Sequence, residues 1–131
     1  MKATFQKKIF IVDDDRFWNR KMVEILTNLG YTNIVSFENG EDCIDNLYLK
    51  PAVIFLDYQM KAVNGLEVLR RAKGYLPGID IIFCTANENM GLAINAMKSG
   101  SHDFLIKHNV TEEQLGGLLN VLCMKDAERI S

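Results

Sequence analysis

The sequence predicts a single α/β domain built on a parallel sheet, and three observations carry that expectation. Four apolar runs, Ile9 to Val12, Val53 to Leu56, Ile81 to Cys84 and Phe104 to Ile106, are continuous rather than alternating. Runs of that kind mark strands covered on both faces. Segments with apolar residues at helical spacing lie between them. Each run also ends on a polar group: Asp13-Asp14, Asp57, Thr85 and Lys107. In an open parallel sheet the ligand sits outside the carboxyl ends of the strands, so these groups are expected at one edge.

The elements follow in order. After the first strand, Arg16 to Leu29 carries Trp18, Met22, Ile25, Leu26 and Leu29 on one helical stripe, and Gly30 supplies a stop. Thr32 to Phe37 reads as a short second strand and Gly40 to Leu49 as a second helix, broken before the third strand by Pro51. Asn64-Gly65 marks a turn, after which Leu66, Leu69 and Ala72 give the third helix its apolar stripe. Pro77-Gly78 opens the fourth strand. Asn89 to Ser99, with Leu92, Ala93, Ala96 and Met97, reads as the fourth helix, ended by Gly100. Thr111, followed by Glu112 and Glu113, combines a hydroxyl cap with acids in the first turn of a helix running to about Ala127. Gly116-Gly117 within it costs about 1 kcal/mol per glycine relative to alanine, which implies local weakness or close packing. Five strands alternating with five helices imply a layered α/β fold with right-handed crossovers.

Bulk properties narrow the function. A chain of 131 residues, 48% apolar and 24% charged, suits one domain with one core. A formal charge of −2 leaves no footprint for direct nucleic-acid or anionic-membrane binding. No stretch approaches the roughly 20 apolar residues of a membrane span, and Met1 to Lys8 lacks a signal-peptide core. The expected location is cytoplasmic. Cys43, Cys84 and Cys123 show no metal or disulfide spacing, and Cys84 reads as a small core residue. His102 and His108 read as surface or strand-edge residues, and Met22, Met90 and Met97 as core filler.

Singly, each marked residue has an ordinary structural role. Asp14 and Asp15 precede a helix, where aspartate caps. Asp57 and Thr85 each suit a turn, and Lys107 a solvated surface. Together they are harder to explain as structure. Acids from adjacent strand ends repel, which raises their pKa values and destabilises the fold unless a positive charge intervenes. A magnesium ion takes hard oxygen ligands and would relieve that repulsion, and Lys107 adds a second positive charge. In such a site a carboxylate can attack a phosphoryl group, while Thr85 can donate to a phosphoryl oxygen.

With these residues in place, the chain resembles a response-regulator receiver domain of two-component signalling. The matching segments are Ile9 to Asp15, Phe55 to Met60, Asn64-Gly65-Leu66, Phe83 to Ala86 and Gly100 to Lys107. The resemblance implies a flavodoxin-like (CheY-like) doubly wound five-stranded sheet, strand order 2-1-3-4-5, with one receiver domain over residues 1–131 and a core at about 7–127. It implies Asp57 as phosphoacceptor. Magnesium would be held by Asp13, Asp14, Asp57 and the backbone carbonyl of Gln59. Thr85 would be the switch hydroxyl, Lys107 the charge partner of the phosphate, and Phe104 the aromatic that reports phosphorylation by its packing. Gln59 and Asn87 would tune access of water to the phosphate. The implied partners are a sensor histidine kinase or phosphotransfer protein, and a second copy meeting the surface of helix four, strand five and helix five. Such a domain is not a conventional enzyme, yet it assists its own phosphorylation and dephosphorylation. It is expected as a stand-alone regulator or as the front piece of a longer protein.

Two positions depart from the family pattern. His108 follows Lys107 where the family has a proline after a cis peptide. A cis bond before a non-proline residue costs about 3 kcal/mol or more, so a trans bond is expected. Lys61 stands where a proline usually follows the methionine of the nucleophile loop. Two rivals remain at this point. Asp13-Asp14-Asp15 also fits the DxD motif of haloacid-dehalogenase-like phosphatases, although Asp57 then has no task. A phosphorylation-independent pseudo-receiver would use the same fold as an interaction module.

Overall fold

The computed structural model describes residues 8–86 and 90–130. Five parallel strands, β1 (Ile9–Val12), β2 (Ile34–Phe37), β3 (Val53–Asp57), β4 (Asp80–Thr85) and β5 (Asp103–Ile106), form one sheet in the order β2-β1-β3-β4-β5. Five α-helices connect or follow them: α1 (Arg16–Asn28), α2 (Gly40–Asp45), α3 (Gly65–Tyr75), α4 (Met90–Lys98) and α5 (Glu112–Ile130). This is the doubly wound, CheY-like order expected from the sequence.

The pleat explains why the central strands are apolar throughout. Successive side chains leave opposite faces of a strand, and both faces here are covered. On one face Ile9, Ile11, Val53, Phe55, Ile82 and Leu105 pack against α1 and α5 through residues such as Trp18, Met22, Leu26, Leu115 and Leu119. On the other, Phe10, Val12, Ile54, Leu56, Ile81 and Phe83 meet α2 and α3 through Cys43, Val68, Leu69 and Ala72. Each fully buried Leu, Ile or Phe contributes about 1.5–3 kcal/mol. Cys43 and Cys84 are buried free thiols.

Helix starts carry their own signals. The Asp15 carboxylate accepts from the amides of Phe17 and Trp18, Asn39 caps α2, Asn64 caps α3, and the Thr111 hydroxyl accepts from the Gln114 amide. Gly30 and Gly100 stand at φ values of 99° and 105°, the left-handed backbone that ends α1 and α4.

Several boundaries differ from expectation. β2 begins at Ile34 rather than Thr32, since Ile34 is the first residue in register with β1, opposite Ile9. α2 ends at Asp45 instead of Leu49. There Asn46 Nδ2 bonds back to the Asp42 carbonyl, and Leu47–Leu49 tightens into a 3-10 turn that buries Leu47. β3, β4 and β5 each gain residues through ladder pairing, including Asp57 opposite Cys84 and Ile82 opposite Asp103. α5 runs on to Ile130, with no Pro or Gly after Gly117 to stop it. The expected first residue of α4, Asn89, lies outside the described residues.

Met22 is core filler as expected, but Met97 is 49% exposed, because it falls on the outer face of α4. The Met90 side chain lies outside the described ones. Of the glycine pair, a Cβ on Gly116 would stand 3.3 Å from Leu29, so that glycine serves close packing of α5 on α1, whereas Gly117 has open space. Gly65 matters most for the site. A Cβ there would lie 2.6 Å from the Asp57 carbonyl oxygen and 2.7 Å from the Phe83 ring, so only glycine lets α3 start against the end of β3.

Candidate functional site

The sheet register brings Asp13, Asp57, Thr85 and Lys107 to one edge, each at or just beyond the carboxyl end of its strand. Asp13 and Thr85 are each 1% exposed and Asp57 6%, while Asp14 faces solvent. One carboxylate oxygen from each of Asp13, Asp14 and Asp57 lies within 4.8 Å of the others. Turn or cap roles do not require three acids to converge.

Local hydrogen bonds hold the two buried acids. Asp13 Oδ1 accepts from the Asp15 amide at 2.9 Å, and Asp57 Oδ1 accepts from the Gln59 amide at 3.2 Å. Asp13 Oδ2 meets Lys107 Nζ at 2.5 Å. That oxygen is buried and has no other partner among the described residues, so Lys107 alone compensates it. Burial, reinforced by the negative charge of Asp13, pushes the Asp57 carboxyl up to about 7, against the opposing pull of Lys107. Burial likewise raises Asp13, opposed by Lys107 and the Asp15 amide. The cause is the one the sequence implied: acids crowded at low dielectric.

Lys107 begins a 3-10 turn, Lys107–Asn109, and the described chain contains no cis peptide bond, so the bond to His108 is trans as expected. The lysine ammonium also stands 5.4 Å from the centre of the Trp18 ring, which has Lys21 at 5.8 Å. Phe104 is half-buried and meets Tyr58 edge-on at 6.4 Å, and Tyr58 in turn meets Phe83 at 5.1 Å. An aromatic chain thus links the residue after Asp57 to β5. Gln59, Lys61 and His108 are exposed, and His102 lies 3.7 Å from an Asp80 oxygen at the start of β4. Asn87 lies outside the described residues.

Sequence reasoning missed Asn19. Its Nδ2 donates to the backbone carbonyls of Asp13 (2.9 Å) and Phe37 (3.2 Å), tying the acidic loop to the end of β2. It is buried, and its Oδ1 lacks a hydrogen-bond partner among the described residues. A polar residue directly after Trp18, on the inner first turn of α1, was the available signal. Asp15, which the DxD reading would use as an acid, is instead committed to capping α1. A cavity of about 560 Å³ lies at the opposite end of the strands, among Lys8, Pro51, Tyr75 and Pro77.

The donor set fits a hard divalent cation. Three carboxylates converge, and Asp57 is destabilised as an anion by burial and by the charge of Asp13.

Fold and site together define a CheY-like α/β domain with an acidic pocket at the carboxyl edge of its sheet. The profile of the response regulator receiver domain matches residues 9–119, and the chain belongs to that family. It is 30% identical over 102 residues to the chemotaxis protein CheY of Thermotoga maritima, covering 77% of this chain and 85% of that one. It is 34% identical over 104 residues to the transcriptional regulatory protein CrdR of Helicobacter pylori, covering 78% of this chain and 48% of that one. The signal receiver domain of a putative LuxO repressor protein from Vibrio parahaemolyticus superposes with a TM-score of 0.85 at 23% identity, covering 96% and 97% of the two chains. Family membership removes the phosphatase rival.

Proposed function

We propose that this receiver is a phosphoacceptor in a two-component phosphorelay, with Asp57 as the acceptor. The observation that carries the reading is the convergence of the Asp13, Asp14 and Asp57 carboxylates within 4.8 Å at the strand ends, with the Lys107 ammonium paired to Asp13. An Asp57 oxygen attacks the phosphorus of a phosphohistidine on a sensor histidine kinase or phosphotransfer protein. The P–N bond breaks, its electron pair returns to the imidazole nitrogen, and an acyl phosphate forms on Asp57. Asp13, Asp14, Asp57 and the Gln59 carbonyl would hold magnesium, which would supply positive charge to the acids and the phosphoryl oxygens.

Asp57 near 7 is only partly ionised, and the neutral acid is a poor nucleophile. Positive charge beside it restores the carboxylate. Lys107 binds a phosphoryl oxygen once the group is in place, and the Thr85 hydroxyl donates to another. Movement of Thr85 draws Phe104 inward along Tyr58, and the surface of α4, β5 and α5 changes with it. Phosphorylation thereby biases an equilibrium between two shapes. That surface is the docking face for an output partner or a second copy. Gln59 and Asn87 would tune the access of water to the phosphate, as the family resemblance implies. No described helix is long and apolar enough to cross a membrane, which is consistent with a cytoplasmic site of action.

Intact-mass measurement after incubation with acetyl phosphate and magnesium tests the assignment. One added phosphoryl group is expected on the wild type and none on Asp57→Asn. Equal labelling of the variant would exclude Asp57 as the acceptor.

A further inference from the structure

The helical stripe of α1 accounts for Trp18 as a core residue, but its contacts go further. Trp18 is the single tryptophan of the chain, and it is buried. Two ammonium groups stand within 6 Å of its ring centre: Lys21 from the next turn of α1, and Lys107 from the end of β5. Lys107 thus has two attractions, the Asp13 carboxylate at 2.5 Å and the face of the indole ring at 5.4 Å. Its side chain is only 15% exposed. An ammonium at that depth needs compensation wherever it rests.

Asp13 cannot supply that compensation throughout a cycle in which its charge is shared with a cation. When Asp13 turns to the metal, an ammonium without another attraction would extend toward water. The negative face of an indole offers a second attraction that does not compete for the carboxylate.

We propose that Trp18 is a positioning residue: its ring holds the Lys107 ammonium at the acidic edge, so the charge stays available to the phosphoryl group when Asp13 is engaged elsewhere. This rests on the phosphoacceptor reading for its consequence, but not for the contact itself.

A double-mutant cycle tests both parts. Trp18→Leu removes the ring, and Lys107→Met keeps the stem while removing the charge. Both single variants, their combination and Trp18→Phe are compared with wild type. One arm measures the rate of aspartyl phosphate formation from acetyl phosphate and magnesium. The other measures unfolding equilibria in EDTA, where neither metal nor phosphate takes part.

Trp18→Leu is expected to slow phosphorylation about tenfold, roughly 1.4 kcal/mol, within the range of a desolvated cation–ring contact. Trp18→Phe should recover most of that rate, because it retains a ring face. In the Lys107→Met background the same Leu substitution should cost less than about twofold, since no charge remains to be held. In EDTA the two positions should couple by about fivefold or more in the unfolding constant.

Independent effects in EDTA would overturn the proposal whatever the rates. An equal rate loss in both backgrounds would also overturn it, reducing Trp18 to packing. If none of the proteins gains a phosphoryl group, the phosphoacceptor assignment fails alone, and the EDTA coupling decides whether Trp18 holds the lysine.

Discussion

Replacing Asp57 with Asn should make the metal-free protein more stable at pH 8, although it deletes the proposed acceptor. Asp57 is 6% exposed, and its carboxyl is raised from 3.8 to about 7 by burial and by Asp13. At about 1.36 kcal/mol per unit, three units set a ceiling of about 4 kcal/mol on the cost of ionising it in the fold. Asp13 and Asp57 titrate as a pair, so part of the relief is shared, and a gain of about 2 kcal/mol is expected for Asp57→Asn.

The sign follows from proton linkage. The folded carboxyl holds its proton more tightly than the unfolded one. Its favourable contribution is therefore complete below about pH 4 and is lost as pH rises to about 7. Wild type and variant should converge near pH 4 and separate to the full difference above pH 7. Urea unfolding in EDTA at several pH values measures this. Magnesium should narrow the gap by stabilising wild type more than the variant. A wild type as stable as Asp57→Asn at pH 8 in EDTA would refute the claim that the acids are held in mutual conflict.

Two further outcomes follow from the same geometry. Gly65→Ala drives a methyl toward the Asp57 carbonyl and the Phe83 ring, and should destabilise the domain by about 3 kcal/mol, read as a lowered urea midpoint; an unchanged midpoint would show that α3 can shift away from β3. Asn19→Ala removes two hydrogen bonds to backbone carbonyls, and should cost about 2 kcal/mol and weaken magnesium binding by calorimetry; unaltered affinity would mean that the Asp13-Asp14 loop holds its shape without that tie.

The strand content was legible because central parallel strands have no solvent-facing side, so Ile9–Val12 and Val53–Leu56 stand out as unbroken apolar runs. Edge strand β2 is half-exposed, and pairing with β1 rather than composition sets where it begins. α2 is shorter than its composition implies for a similar reason: burying Leu47 tightens the chain into a different turn, which propensity does not record. The positions of Asp13, Asp14, Asp57, Thr85 and Lys107 could be anticipated because the end of a strand is a sequence feature and parallel strands share their carboxyl edge.

What each of those groups touches was decided by tertiary packing. Nothing local to Lys107 indicates that its ammonium rests on Asp13 above the Trp18 ring, and nothing local to Asn19 indicates that it bridges two strand ends. The sequence by itself determined the layers, the strand ends and the kinds of chemical group at the site. Only the assembled sheet, with α1 laid across it, determined which charges face one another, because those contacts join residues far apart in the chain at distances of a few ångströms.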